Sequence, residues 1–335
     1  MTFLYCVRRS SRSPLALLAI CLLCLAGLAI ISRKPPLAPP FSHYPSSLCA
    51  GNSTQVVLTI RTLPRHDAIR HVIRNSIAHS AVRSALPSWA FLFYMGFVKN
   101  STRMDAVRGE INTHGDLLVS PIEAAANNSV EIALDMMRWV EERCGKGRPL
   151  RLFVHVNDTV FVDPIALEGY LNQMNNSTVA RPSFYCKLVK GVNVGRDPKG
   201  INFVPRDLFR GPVFPPYCEG EAFFINGSHL GPLYAASLYA LHYTLLPQYV
   251  TGHMAVIADM GHVDIAQRIA SAGNPESGGK YTGRKVGKAN LFITNMWLNM
   301  WKDIWLYSLY NQTRQMQLEK KLTEIIVERL QAASN

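Results

Sequence analysis

Acidic residues are scarce in this chain. Its 335 residues hold 23 Asp and Glu against 35 Lys and Arg, a formal net charge of +12; only 17% of residues are charged and 48% are hydrophobic. So apolar a composition excludes an intrinsically disordered chain, which cannot bury enough surface to offset the entropy of ordering. Basic clusters are missing as well. No Lys/Arg run exceeds two residues and no nucleic-acid-binding motif is present, so nucleic acid is excluded as the partner. Cysteine is sparse, at seven residues. None of Cys49, Cys144, Cys186 and Cys218 has C-x-x-C spacing, which argues against a zinc site. Internal repeats are absent.

What is present begins with one apolar run. Residues 15–31 read LALLAICLLCLAGLAII, without a charge. At about 1.5 Å per residue this is roughly 25 Å of helix, near the lower limit for crossing a bilayer. Its length and its exit through Ile-Ile-Ser-Arg-Lys favour a retained signal anchor over a cleaved signal peptide. Arg8, Arg9 and Arg12 precede it, which predicts a cytosolic N-terminus and a lumenal remainder. Asparagine usage points to the same side. Eight of the 19 asparagines head an N-x-S/T sequon, at Asn52, Asn100, Asn127, Asn157, Asn175, Asn176, Asn226 and Asn311. Chance at this serine and threonine content would give about two, so glycosylation in a lumenal compartment is expected, with Asn52, Asn100, Asn127, Asn226 and Asn311 as acceptors. The four cysteines beyond the anchor are then an even set in an oxidising compartment, open to two disulfides in any of three pairings.

Five segments follow: a cytosolic tail (1–14), the anchor (15–32), a proline-rich stem (33–54), a lumenal domain (55–288) and a C-terminal helical extension (289–335). Within the domain, 56–60, 89–98, 150–158 and 220–227 are apolar, β-branched or aromatic runs that predict buried strands. Helical spacing is expected at 67–85, 120–144, 229–246 and 250–270, with a basic, glycine-rich loop at 271–288. Trp297, Trp301 and Trp305 share one face of a further helix, and 315–333 reads as a charged amphipathic one. Alternation of strand and helix predicts an α/β fold with a mostly parallel central sheet, whose ligands bind at the carboxyl ends of the strands.

Several segments, in order, carry a resemblance. RHDAIRHVI (65–73) is similar to an R-x-A-I-R-x-T-W box, FLFYMG (91–96) to an F-L-L-G strand, and EINTHGDLL (110–118) to an acidic helix followed by Gly-Asp-Ile-Leu. RWVEERC (138–144) is similar to a W-x4-C helix end, and VNDTVFVD (156–163) to a D-D-D-V-F-V-N metal motif. The segment from Arg196 to Lys199, with FPPYCEGEAFFIN (214–226), is similar to R-x3-K and Y-P-x-Y-x-x-G-x-x-Y. Together these resemble the β-1,3-galactosyltransferase and β-1,3-N-acetylglucosaminyltransferase family of Golgi type II enzymes.

The resemblance implies a GT-A-like nucleotide-sugar fold and inverting transfer of galactose or N-acetylglucosamine from UDP-galactose or UDP-N-acetylglucosamine. The acceptor would be a hydroxyl on a glycoprotein or glycolipid glycan, and Mn²⁺ would sit on the diphosphate. It also implies residue roles. Asp158 and Asn157 would hold the metal, with Asp163 on the following turn; Arg70 and Asp116 would contact the donor. Where that family carries three acids, this chain has Asn157, Asp158 and Thr159. Where an acidic motif supplies the base, it has Leu246, Pro247 and Gln248, and the helix at 129–139 lacks the family's lysine. Glu219, Glu221 and Asp259 are the acids nearest the expected base. The alternative is a catalytically silent binding or accessory protein of the Golgi membrane on the same scaffold.

Overall fold

The structure, a computed structural model, describes residues 43–45, 47–49, 53–145, 147, 149–174, 181–200, 202–272, 290–296, 300, 301 and 304. The anchor, Asn52, Asn175, Asn176, Asn311, Trp297, Trp305, most of the 271–288 loop and the 315–333 helix lie outside them. Among the described residues no helix is long and apolar enough to cross a membrane.

The first four strands are β1 (Val56–Arg61), β2 (Trp89–Phe97), β3 (Leu117–Glu123) and β4 (Leu152–Asn157). The next four are β5 (Phe161–Val162), β6 (Ser183–Val189), β7 (Tyr217–Asn226) and β8 (Gly261–Asp264). Seven form one sheet in the order β3-β2-β1-β4-β7-β6-β8. All run the same way except β7, which is antiparallel to both β4 and β6. The sheet is therefore mostly parallel, as the continuous apolar runs predict for strands buried on both faces. Strands β9 (Ile269–Ser271) and β10 (Phe292–Thr294) join β5 in a small second sheet.

Among the described residues seven helices cover the sheet: α1 (Asp67–Arg74), α2 (Ser80–Ala85), α3 (Ser101–His114), α4 (Ser129–Arg143), α5 (Pro164–Met174), α6 (Leu230–Ala236) and α7 (Met254–Ile257). Pleating divides the strand side chains between two cores. Val56, Leu58 and Ile60 pack with Ile73, Val82 and Val107 of α1, α2 and α3. Val57, Leu92 and Tyr94 pack with Met136, Trp139 and Val140 of α4 on the other face, where α6 and α7 also lie. Each fully buried Ile, Leu or Phe contributes about 1.5–3 kcal/mol. The cysteines pair Cys49–Cys144 and Cys186–Cys218, one of the three pairings left open by their number. His43 bridges Val119 on the edge strand, so residues at the end of the stem range are held against the domain by this bridge and by the Cys49 disulfide.

Several elements depart from the periodicity. The 67–85 helix is two helices, because the Ser76 hydroxyl takes the carbonyls of Val72 and Ile73 and His79 caps a new start. Residues 120–123 belong to β3, an edge strand that tolerates Pro121. In 229–246 the helix ends at Ala236, where Ser237 bonds back to Tyr234. In 250–270 it ends before Asp259, whose φ of 51° turns the chain, and Gly261 then pairs with Ser183 of β6. The C-terminal extension opens with strand β10, and Trp301 from it is buried against Phe161.

Candidate donor site at the strand ends

The carboxyl ends of β1, β2 and β3 open onto a cavity of about 450 Å³. Arg61 and Thr62 enter it from the end of β1, Arg65 from the loop that follows, Arg103 from the first turn of α3 and Ile132 from α4. Gly96 forms part of its wall at the end of β2. A Cβ there would meet the Ile122 carbonyl at 2.5 Å and the Ala124 nitrogen at 2.7 Å, so the close approach of β2 to β3 requires glycine. Among the described residues three arginines and no acidic residue line this space. A wider groove of about 1100 Å³ runs between α1 and α3; it shares Arg65 and Arg103 but also carries Asp67 and Glu110.

Behind the cavity a polar network fixes the loop after β1. Thr62 Oγ1 donates to Asp158 Oδ2 at 2.7 Å, and His66 Nδ1 lies 2.7 Å from the same oxygen. Because a carboxylate only accepts, that imidazole nitrogen carries its proton. The Asp158 backbone N–H donates to the Arg61 carbonyl, which ties the ends of β4 and β1 together. Arg70 donates to Leu63 O at 2.7 Å, to Thr62 Oγ1 at 3.3 Å and through two nitrogens to both oxygens of Glu110. Arg74 then bridges Glu110 to Asp116. Burial pushes the Glu110 carboxyl up, and the guanidiniums of Arg70 and Arg74 outweigh it, so the group is held below the usual carboxylate range.

This placement assigns the expected site residues one by one. Arg70 is 0% exposed and holds α1 to α3 and to the β1 loop; its guanidinium is consumed by internal acceptors. Asp116 sits at the opposite, amino end of β3, with both oxygens on Arg74 and Arg83 beside it. Neither lines the strand-end cavity. Asp163 accepts the N–H groups of Ile165 and Ala166 and caps α5. Asn157 and Asp158 do lie at the end of β4, but they do not fit a divalent cation. Asp158 is 2% exposed with its Oδ2 already shared, and Asn157 Oδ1 accepts the Asp158 N–H. Among the described residues no group of three His, Cys, Asp or Glu could hold a metal.

The acids considered for the base are scattered. Glu219 is an exposed partner of Lys187, Asp259 is an exposed partner of Arg181, and Glu221 lies within β7. Leu246 and Pro247, where the resembled motif has acids, line a small apolar pocket with His155, Gly220 and Thr251. His155 is 2% exposed between Tyr94 and Phe223, and burial pushes its pKa down to about 3. One carboxylate reaches this region from elsewhere. Glu131 of α4 lies 3.9 Å from His242, and its charge, after burial, raises the hydroxyl pKa of Tyr249.

The sequence alone did not single out Arg61, Arg65 and Arg103 as residues of this cavity, or His66 as a partner of Asp158. Their signal was present: Arg61 ends an apolar strand, and Arg65 and His66 open the similar box. Of the sequon asparagines, Asn100, Asn127 and Asn226 are exposed; Asn100 caps α3, and Asn226 accepts from Ser228.

The family model described as Galactosyltransferase matches residues 68–266, from α1 to just past β8. The chain belongs to this galactosyltransferase family. Among relatives, it is 26% identical over 209 residues to the human acetylgalactosaminyl-O-glycosyl-glycoprotein beta-1,3-N-acetylglucosaminyltransferase, covering 61% of this chain and 52% of that protein. It is 24% identical over 196 residues to human beta-1,3-galactosyltransferase 9, covering 57% of this chain and 51% of that protein. The chain thus spans about half the length of the curated relatives it matches. A glycosyltransferase involved in glycosylating the major capsid of PBCV-1 is similar at 10% identity, with a TM-score of 0.36 over 75% of this chain and 98% of that one. So slight a likeness carries no weight here. Cavity, sheet order and strand-end loop all fall in or beside the stretch that places this chain among the galactosyltransferases.

Proposed function

We propose that this galactosyltransferase family member is a hexosyltransferase of the Golgi membrane, anchored as a single-pass type II protein with its domain in the lumen. It transfers galactose or N-acetylglucosamine from a UDP-sugar to a hydroxyl of a glycoprotein or glycolipid glycan, with inversion and a β-1,3 linkage. The acceptor oxygen attacks the anomeric carbon in line, UDP departs and the acceptor proton is lost to a base. One observation carries this reading: the cationic cavity at the carboxyl ends of β1, β2 and β3, where an open α/β sheet binds its ligand and a departing diphosphate needs positive charge. Incubating detergent-solubilised full chain with labelled UDP-galactose or UDP-N-acetylglucosamine and a panel of glycan acceptors tests it. A labelled product is expected; neither transfer nor donor hydrolysis would count against it.

A second reading has its own support. Residues 246–248 are Leu-Pro-Gln, and Leu246 and Pro247 line an apolar pocket rather than presenting a carboxylate. On this reading the chain binds a UDP-sugar without turning it over and assists an active partner in the membrane. UDP binding with no transfer to any acceptor is its signature.

A further inference from the structure

We propose that the diphosphate of the nucleotide is neutralised in this chain by Arg61, Arg65 and Arg103, without a divalent cation. This rests on the reading of the strand-end cavity as the donor site and adds how that site carries the charge of its ligand. A hard divalent ion on a diphosphate needs carboxylate oxygens turned toward the phosphates. The segment 157–159 supplies a single carboxylate, and its Oδ2 is occupied on two sides, by the Thr62 hydroxyl and the His66 ring N–H, each at 2.7 Å. Of the other two side chains that carry oxygen, Asn157 accepts the Asp158 N–H at 2.9 Å and Thr159 offers only a neutral hydroxyl. A cation bound at Asp158 Oδ2 would have to displace both donors and meet the imidazole proton head-on.

The same contacts give Asp158 a different task. With Thr62 and His66 both tied to it, the loop between them is pinned, and that loop carries Arg65. Asp158 is therefore a positioning residue, which aims a guanidinium into the cavity. Arg103 enters from the opposite side, in a first turn fixed by the Asn100 side chain accepting its backbone N–H. Both arginines are exposed, and among the described residues neither forms an ion pair with a carboxylate. Arg61 completes the set at the end of β1. A planar guanidinium matches two phosphate oxygens at once and stays charged at any physiological pH. Three of them in a cavity of about 450 Å³, with no acid among the described residues that line it, supply what the missing carboxylates would otherwise recruit through a metal.

Calorimetry of UDP and of uridine with the detergent-solubilised full chain, in EDTA and in Mn²⁺, tests this, alongside the electron paramagnetic resonance signal of free Mn²⁺. We expect UDP to bind with the same Kd, within about twofold, in EDTA and in Mn²⁺, and the free Mn²⁺ signal to stay unchanged. Arg65→Glu and Arg103→Glu should each weaken UDP about tenfold or more while changing uridine little, with unchanged thermal unfolding showing that each variant folds. UDP binding only with Mn²⁺, together with loss of the free Mn²⁺ signal, would overturn the inference and leave the donor site standing. Unaltered UDP affinity in both charge-reversal variants would overturn it too. No UDP binding under either condition would remove the donor reading as well.

Discussion

Arg70 serves four acceptors at once: both oxygens of Glu110, the Thr62 hydroxyl and the Leu63 carbonyl. Removing one partner from such a pair leaves the other charge buried and unmatched. Glu110→Gln should therefore cost about 3 kcal/mol in urea unfolding at neutral pH and loosen the loop that carries Arg65. The Glu110 carboxyl is depressed, so its contribution is present above the ordinary carboxylate range and is lost as pH falls through the folded value. His155 works in the same direction for a different reason. Its folded pKa is about 3 and its ordinary value 6.5, so below 6.5 the unfolded chain takes up a proton that the folded chain refuses. Stability should fall between pH 6.5 and 3, by about 2 kcal/mol at pH 5 from this residue. Burial also lowers the pKa values of His229, His253 and His262, which adds to the slope. Urea unfolding of His155→Gln at pH 7 and pH 5 checks it, with a flatter dependence expected. Arg70 and Asp116 were singled out only through the resemblance, as donor contacts, and the roles they have in the structure were not legible. Sequence spacing cannot show that one guanidinium is wholly buried or that Asp116 stands at the other end of its strand.

At the scale of elements, the exit of β2 sets the cavity. Gly96 lets the β3 carbonyl of Ile122 and the Ile132 side chain approach to distances a Cβ would not permit. Gly96→Ala should destabilise by about 1–3 kcal/mol and weaken UDP, read by thermal unfolding and nucleotide titration. Strands β1, β2 and β4 were legible because a parallel sheet covered on both faces leaves only apolar positions. β7 begins at Tyr217, earlier than its apolar run suggests, because Leu188 and Val189 of β6 pair with Cys218 and Tyr217. β6 and β8 were harder to see, since β8 has only four residues and both lie toward the sheet edge, where burial is incomplete. The stretch from Gln248 to His253 winds as a π-helix directly into α7, and it follows immediately on Leu246 and Pro247, where the resembled base motif begins. Apolar spacing alone does not report such a widened turn.

For the whole molecule, composition and architecture converge. The scarcity of acid is not spread evenly in its consequences: it leaves the strand-end cavity lined by three arginines and the 246–248 segment without a carboxylate. Lumenal placement and a UDP-sugar donor remain the expectations of the proposal, and the two disulfides suit an oxidising compartment. The division of the sheet into two cores followed from the strand–helix alternation. The site did not, because its residues come from β1, β2, α3 and α4 and meet only in space. Amide hydrogen–deuterium exchange of the full chain with and without UDP tests the central claim most directly. The account predicts slowed exchange at 61–66, 95–103 and 124–132, around the cavity. Protection confined to 246–253, or none at saturating UDP, would contradict it.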